Sequence, residues 1–235
     1  MDETPRISQG FARLGSVTAL VLLLYVLATM AVVFGLGGQP ASAREIFDLL
    51  NTNQLVGMLR LDALTTLVMP LYYLLLLSLY FALRKDQPVA VTLSLLLGCV
   101  GLTLFLSAPS FLSWLTLSDK FAATTDAAQK SLLLAAGESV LATDLWHGSG
   151  AFVGGLLVQI ATLLLSLAML RSSLFRKSTA WVGVVTHSLD LAHILVLPVL
   201  PALGAVLMST GGTLYLLWFP LLAGDFFRQG RRSEK

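Results

Sequence analysis

Six apolar runs of about twenty residues each govern what this 235-residue chain can become. A helix of roughly 20 apolar residues crosses a ~30 Å hydrocarbon layer, and in lipid every backbone N–H and C=O must find its partner within the protein. The runs lie at about 14–36, 63–83, 88–108, 148–170, 179–199 and 204–226. They predict an all-α fold, a six-helix transmembrane bundle. Arg6 and Arg13 precede the first run and Ala41-Ser42-Ala43 resembles a cleavage site. The run is nevertheless too long for a signal-peptide core, so it is expected to stay as an uncleaved anchor. Hydrophobic residues make up 56% of the chain and charged residues 12%, against about 25% charged in a soluble domain. No Gly/Ser-rich linker, low-complexity tract or fixed-period repeat divides the sequence, and residues 1–235 read as a single integral membrane domain.

Charge sets the expected orientation, because Lys and Arg are retained in short cytoplasmic loops. Arg6, Arg13, Arg84, Lys85, Arg171, Arg176, Lys177, Arg228, Arg231, Arg232 and Lys235 fall on one side, 11 of the 15 basic residues. The other side holds Arg44, Arg60, Lys120 and Lys130 beside the acids Glu45, Asp48, Asp62, Asp119, Asp126, Glu138 and Asp144. Both termini are therefore expected in the cytoplasm, and the location expected is the cell membrane, the inner membrane of a bacterium. The basic residues form short clusters at span ends rather than one long face, which argues against nucleic acid as a partner. Membrane lipids and other membrane subunits are the partners this composition suits. Cys99 is the single cysteine, so an intrachain disulfide and a CxxC site are both excluded.

The outer loops are the long ones. Between spans one and two, Ile46, Leu49, Leu50, Leu55 and Leu59 recur at helical spacing among polar residues, which predicts short amphipathic helices along the outer face. Phe111-Leu112-Ser113-Trp114-Leu115 reads as interfacial, Trp114 favouring the headgroup region. A helix is expected from near Thr125, capped by Thr124 or Thr125, with Asp126 at the positive end of its dipole. The stretch Ala123-Thr124-Thr125-Asp126-Ala127-Ala128-Gln129 and the following Leu132-Leu133-Leu134-Ala135-Ala136-Gly137-Glu138 resemble a segment of a multi-pass bacterial membrane family, a domain-of-unknown-function family. Ser166 to Arg171, Phe175-Arg176 and the Trp218 to Gly224 ending add to the resemblance, which extends from about Arg44 to the C terminus. It implies a topology and carries no activity.

Ionisable side chains inside a bilayer are costly unless paired or hydrated, so each is a candidate functional group. His187, Asp190 and His193 stand at i, i+3 and i+6 in span five and share an arc of roughly 120°. That face is expected to turn toward protein, with Asp190 bonded to His187 or His193 and a polar group of a neighbouring span completing the shell. His147, beside Asp144 and Trp146, stands at the outer entry of span four. If spans four and five pack, His147, Asp190 and His193 form a three-ligand set for zinc or another divalent ion, with Glu138 or Asp144 handling a proton. Neither HxxxH nor HExxH is present, and axial histidines for haem find no matching pair on facing spans. Gly148, Gly150, Gly154 and Gly155 open span four for close helix approach, and Gln159 adds a hydrogen-bonding group there. Pro70 and Pro220 are expected to kink spans two and six, and Pro198 and Pro201 to mark a tight turn.

Three functional readings follow. The leading one is a non-enzymatic binding or accessory subunit of a membrane complex, since no nucleophile–base motif or nucleotide loop is present. The second is a small-solute or proton transporter using His187, Asp190 and His193 as relay groups. The third is a metal-dependent membrane hydrolase built on His147, Asp190 and His193, resembling seven-span ceramidase-like hydrolases in its inventory while lacking their paired His-x3-His motif.

Overall fold

The computed structural model describes residues 7–232, apart from residues 109 and 146 and the side chain of Arg232. Arg6, Trp146 and Lys235, used in the sequence reading, lie outside the described residues. Among the described residues eleven helices follow one another: α1 (Gln9–Leu36), α2 (Ala43–Thr52), α3 (Gln54–Arg60), α4 (Ala63–Val68), α5 (Leu71–Leu83), α6 (Pro88–Leu106), α7 (Phe111–Ala123), α8 (Ala127–Leu141), α9 (Ser149–Arg171), α10 (Lys177–Val196) and α11 (Pro201–Arg232). No β-strand occurs among the described residues.

Among the described residues five helical stretches are long and apolar enough to cross a membrane: α1, the stretch Pro88–Ala123 that begins with α6, α9, α10 and α11. Large apolar side chains stand exposed on them, among them Val17, Leu20 and Leu24 on α1 and Leu203, Val206 and Leu217 on α11. Water rarely tolerates so much contiguous apolar surface on a monomer, whereas lipid favours it. The run 63–83 is broken. Pro70 offers no N–H to the preceding turn, α4 stops at Val68, and the chain restarts through a short bond from Tyr73 N–H to the Pro70 carbonyl at 3.2 Å. The resulting α5 has 13 residues, about 20 Å of helix.

The described chain forms two compact units. Residues 7–26, 70–103 and 154–232 make the first, and residues 27–69 and 104–153 the second. In the first unit α10 and α11 form an antiparallel pair, and α11 continues through Pro220 without ending. Gly101 of α6 presses on the backbone of α9, where an added Cβ would lie 2.8 Å from the Gly154 carbonyl oxygen and from Val158 N. Small residues permit such an approach between apolar helices. Because the obstacle is backbone, Gly101→Ala is expected to force the helices apart and cost about 1–3 kcal/mol, measured as a lower thermal midpoint in detergent. An unchanged midpoint would show that α6 has room to move.

The second unit gathers around Phe47 of α2. Ala43, Ile46, Phe47 and Leu50 meet Trp114 and Phe121 of α7, with Leu133, Leu134, Val140 and Leu141 of α8 packed against them. The amphipathic pattern at 41–60 thus forms helices, divided at Asn53, whose N–H closes α2 on the Leu49 carbonyl while its side chain accepts from Val56 N–H. Ser42 and Glu45 cap α2 reciprocally: Glu45 N–H donates to Ser42 Oγ and Ala41 N–H to Glu45 Oε2. At the start of α8 the cap is Asp126, accepting from Ala128 N–H at 3.1 Å, rather than the expected Thr124 or Thr125. Thr124 instead accepts from Asp126 N–H, two residues along the chain. Trp114 also departs from expectation. It shares the inward face of α7 with Ser118 and Phe121 at helical spacing and is fully buried, so its ring serves the core.

Candidate functional site

In the first unit, α9, α10 and α11 bring four polar side chains together. Asp190 of α10 accepts two hydrogen bonds at Oδ2, from the Tyr215 hydroxyl at 2.7 Å and from Gln159 Nε2 at 3.3 Å. The other end of the Gln159 amide, Oε1, lies 2.9 Å from His187 Nδ1, and the Tyr215 hydroxyl lies 3.4 Å from the same nitrogen. A carbonyl oxygen accepts, so His187 Nδ1–H donates to Gln159 and Nε2 is the acceptor of the neutral ring. Asp190 Oδ1 sits over Gly211 of α11, on the place where an added Cβ would stand. Any residue larger than glycine would displace the carboxylate.

An aromatic wall closes the cluster. The His187 ring meets Trp218 edge to face with centroids 4.6 Å apart, Tyr215 stacks on Phe219 at 5.4 Å, and Tyr72 of α5 meets Phe219 at 6.3 Å. Such rings exclude water and strengthen the hydrogen bonds beside them. His187 is fully buried and its Nε2 has no hydrogen-bond partner. Asp190, Gln159 and Tyr215 are only partly buried.

The arrangement corrects the expected pairing. Asp190 bonds to neither His187 nor His193 directly. Its partners come instead from the facing helices, Gln159 of α9 and Tyr215 of α11. His187 joins the carboxylate through Gln159. His193 stays outside the network, both ring nitrogens buried and without a partner.

The other sequence candidates belong to the second unit and hold its backbone. Glu138 Oε1 accepts from Ala43 N–H at the start of α2 at 2.8 Å. Buried Asp144 accepts from Gln39 Nε2 at 2.6 Å and, through Oδ1, from His147 N–H at 3.1 Å, with His147 Nδ1 at 2.8 Å; the His147 ring is exposed. Asp62, unremarked in the sequence reading beyond its sign, accepts from Ser110 N–H at 2.6 Å and Phe111 N–H at 3.0 Å and so caps α7. Burial pushes the Asp62 carboxyl above its ordinary value, the two N–H groups oppose that rise, and the Asp144 charge adds to it. Glu138 and Asp144 thus stand as anchors of helix starts and a turn, not beside an assembled proton-transfer site. Among the described residues no three His, Cys, Asp or Glu side chains gather to hold a metal ion. The set His147, Asp190 and His193 is divided between the two units.

Two residues escaped the sequence reading. Tyr215 is the sole tyrosine of α11, and Asp225 its sole acid. Asp225 is fully buried and binds Arg176, Thr179 and Arg228. A single acid in a helix end otherwise rich in arginine was the signal available for it. Comparison with protein-family models, curated proteins and solved structures returned no match.

Proposed function

We propose that the chain is a six-span protein of the bacterial cell membrane, with both ends cytoplasmic and α4 and α5 together serving as the second span. Its role is that of a binding or accessory subunit, and Asp190 is the group that recognises the partner. One observation carries this reading. The Asp190 carboxylate receives neutral donors on one oxygen, forms no ion pair among the described residues, and is only partly buried. An intramembrane acid without a cation attracts a cationic or N–H-bearing group of a ligand or of a neighbouring membrane subunit. The resemblance to a multi-pass bacterial family agrees with the topology and is silent on the ligand.

Asp190→Asn keeps the shape and one acceptor but removes the charge. Wild-type protein extracted in mild detergent is expected to carry a co-isolating lipid or subunit in native mass spectrometry, and the variant to lose it while its thermal midpoint stays within about 1 kcal/mol equivalent of wild type. Equal retention by both proteins would overturn the reading. A second reading, proton transfer, is favoured by the continuity of Asp190, the Tyr215 hydroxyl and His187 Nδ1 at 2.7 and 3.4 Å. The same variant decides it in proteoliposomes, where a proton flux undiminished by Asp190→Asn removes the relay.

A further inference from the structure

Trp181, Val185, Ser188 and Leu195 of α10 are exposed and recur at helical spacing, which marks the outward side of that helix. Asp190 stands about 200° around the axis from Ser188, and its carboxylate lies between Gln159 of α9 and Tyr215 of α11. The acid therefore faces the interior of the first unit. A basic side chain of a neighbouring subunit, approaching from outside, meets the opposite side of α10.

Asp190 is nevertheless only partly buried, and so are Gly155, Gln159, Ile194 and Tyr215 around it. Gly155 and Gln159 stand one turn apart on α9, and Asp190 and Ile194 one turn apart on α10. Ile194 Cδ1 would lie 3.2 Å from a Cβ added at Gly155, so the two helices run side by side here. These partly exposed positions form a strip that leads from the carboxylate toward the end where α9 begins and α10 ends. Beyond the carboxylate the strip is apolar.

Gln159 and Tyr215 both donate to Oδ2, and Oδ1 accepts no hydrogen bond among the described residues. Gly211 beneath Oδ1 brings no side chain of its own. One oxygen is thus left for an incoming donor. Calcium or magnesium takes six or more oxygen ligands, which one carboxylate flanked by an N–H and an O–H group does not supply. An ammonium needs a single acceptor, and its charge answers that of the acid. A quaternary ammonium carries the charge but has no N–H to give Oδ1.

We infer that the Asp190 site binds the primary ammonium group of an aliphatic amine. The ammonium donates to Oδ1, and its alkyl chain lies along Ile194 and Gly155. This rests on the reading of Asp190 as the recognising group and names what that group holds.

The test uses purified full-length protein in mild detergent. In calorimetric titration one butylamine per chain is expected to bind at least about tenfold more tightly than butanol, the difference a charged hydrogen bond makes, and Asp190→Asn is expected to abolish the difference. Native mass spectrometry with phosphatidylethanolamine or phosphatidylcholine of the same chain length tells the two sources of such an amine apart. A preference for phosphatidylethanolamine that is lost in Asp190→Asn supports the inference and assigns the ammonium to a lipid headgroup, while butylamine binding without that preference supports it and assigns a free amine. Neither preference in wild type, or preferences undiminished by Asp190→Asn, overturns the inference. The underlying reading fails separately. A subunit that co-isolates with wild type and is lost from Asp190→Asn, beside no amine binding, overturns the ammonium and leaves Asp190 its recognising role, whereas equal retention of every partner by both proteins removes that role as well. Should Asp190→Asn fail to fold, the two wild-type preferences decide the question.

Discussion

Trp114→Ala is expected to be the most damaging single substitution in the second unit, costing about 3–5 kcal/mol. The indole is fully buried, meets Phe47 edge to face at 5.9 Å, and shares the core with Ile46, Leu50 and Phe121. Truncation removes the largest side chain of that cluster and leaves a hole that α2, α7 and α8 can close only by moving. Its Nε1–H has no hydrogen-bond partner, so the stabilisation is packing alone. Trp114→Phe therefore loses no hydrogen bond and is expected to cost less than about 1.5 kcal/mol. Thermal unfolding of both variants in one detergent separates the two cases. A phenylalanine variant as unstable as the alanine variant would mean that the indole N–H has a partner after all.

The case of Trp114 also marks what could be read without coordinates. Apolar runs reveal where helices lie because lipid demands length and internally bonded backbone, and those demands act on consecutive residues. The same holds for the break at Pro70, where one missing N–H ends α4, and for the amphipathic period between Ala41 and Arg60. Which residues meet across helices has no such local signature. Trp114 looked like a headgroup anchor because tryptophan favours interfaces, yet its position on the inward face of α7 depends on Phe47 lying opposite. Glu138 and Asp144 looked like groups that handle a proton, because acids near a histidine carry that chemistry. In the structure they meet N–H groups at Ala43 and His147, and that pairing joins residues far apart in the chain for Glu138 and in a turn for Asp144.

The candidate site was half legible for the same reason. The spacing of His187 and Asp190 announces a shared face, and Gln159 was visible as an amide in an otherwise apolar span. Tyr215 was not, since a tyrosine amid leucines reads as packing until a carboxylate is found 2.7 Å from its hydroxyl. Neutral donors satisfy the partly buried acid at less desolvation cost than a charged partner. Direct pairing with histidine was accordingly not needed, and His193 was left without a partner.

Asp225→Ala is expected to cost about 2–4 kcal/mol, the largest effect of any substitution at a charged residue in the first unit. One fully buried carboxylate receives Arg176 N–H at 3.1 Å, Arg176 Nε at 2.7 Å, the Thr179 hydroxyl at 2.6 Å and Arg228 Nη2 at 3.0 Å. Arg176 is the residue before α10 and makes no side-chain cap of its own, so Asp225 of α11 caps α10 from across the hairpin. Removal strands the buried Thr179 hydroxyl and the Arg176 N–H, each worth about 1–3 kcal/mol when orphaned. The two arginines contribute less than a wholly buried pair would, because their side chains are 45% and 40% exposed and rehydrate when released. Asp225→Asn keeps an acceptor for the Arg176 N–H and the Thr179 hydroxyl while losing the charge, so it is expected to cost about half as much. The comparison is made by thermal unfolding in detergent at low and high salt. The alanine deficit is expected to change little with salt, since the lost hydrogen bonds lie where counterions do not reach. A deficit that vanished in high salt, or an asparagine variant as unstable as alanine, would show that Asp225 acts as a surface charge and not as the cap joining α11 to α10.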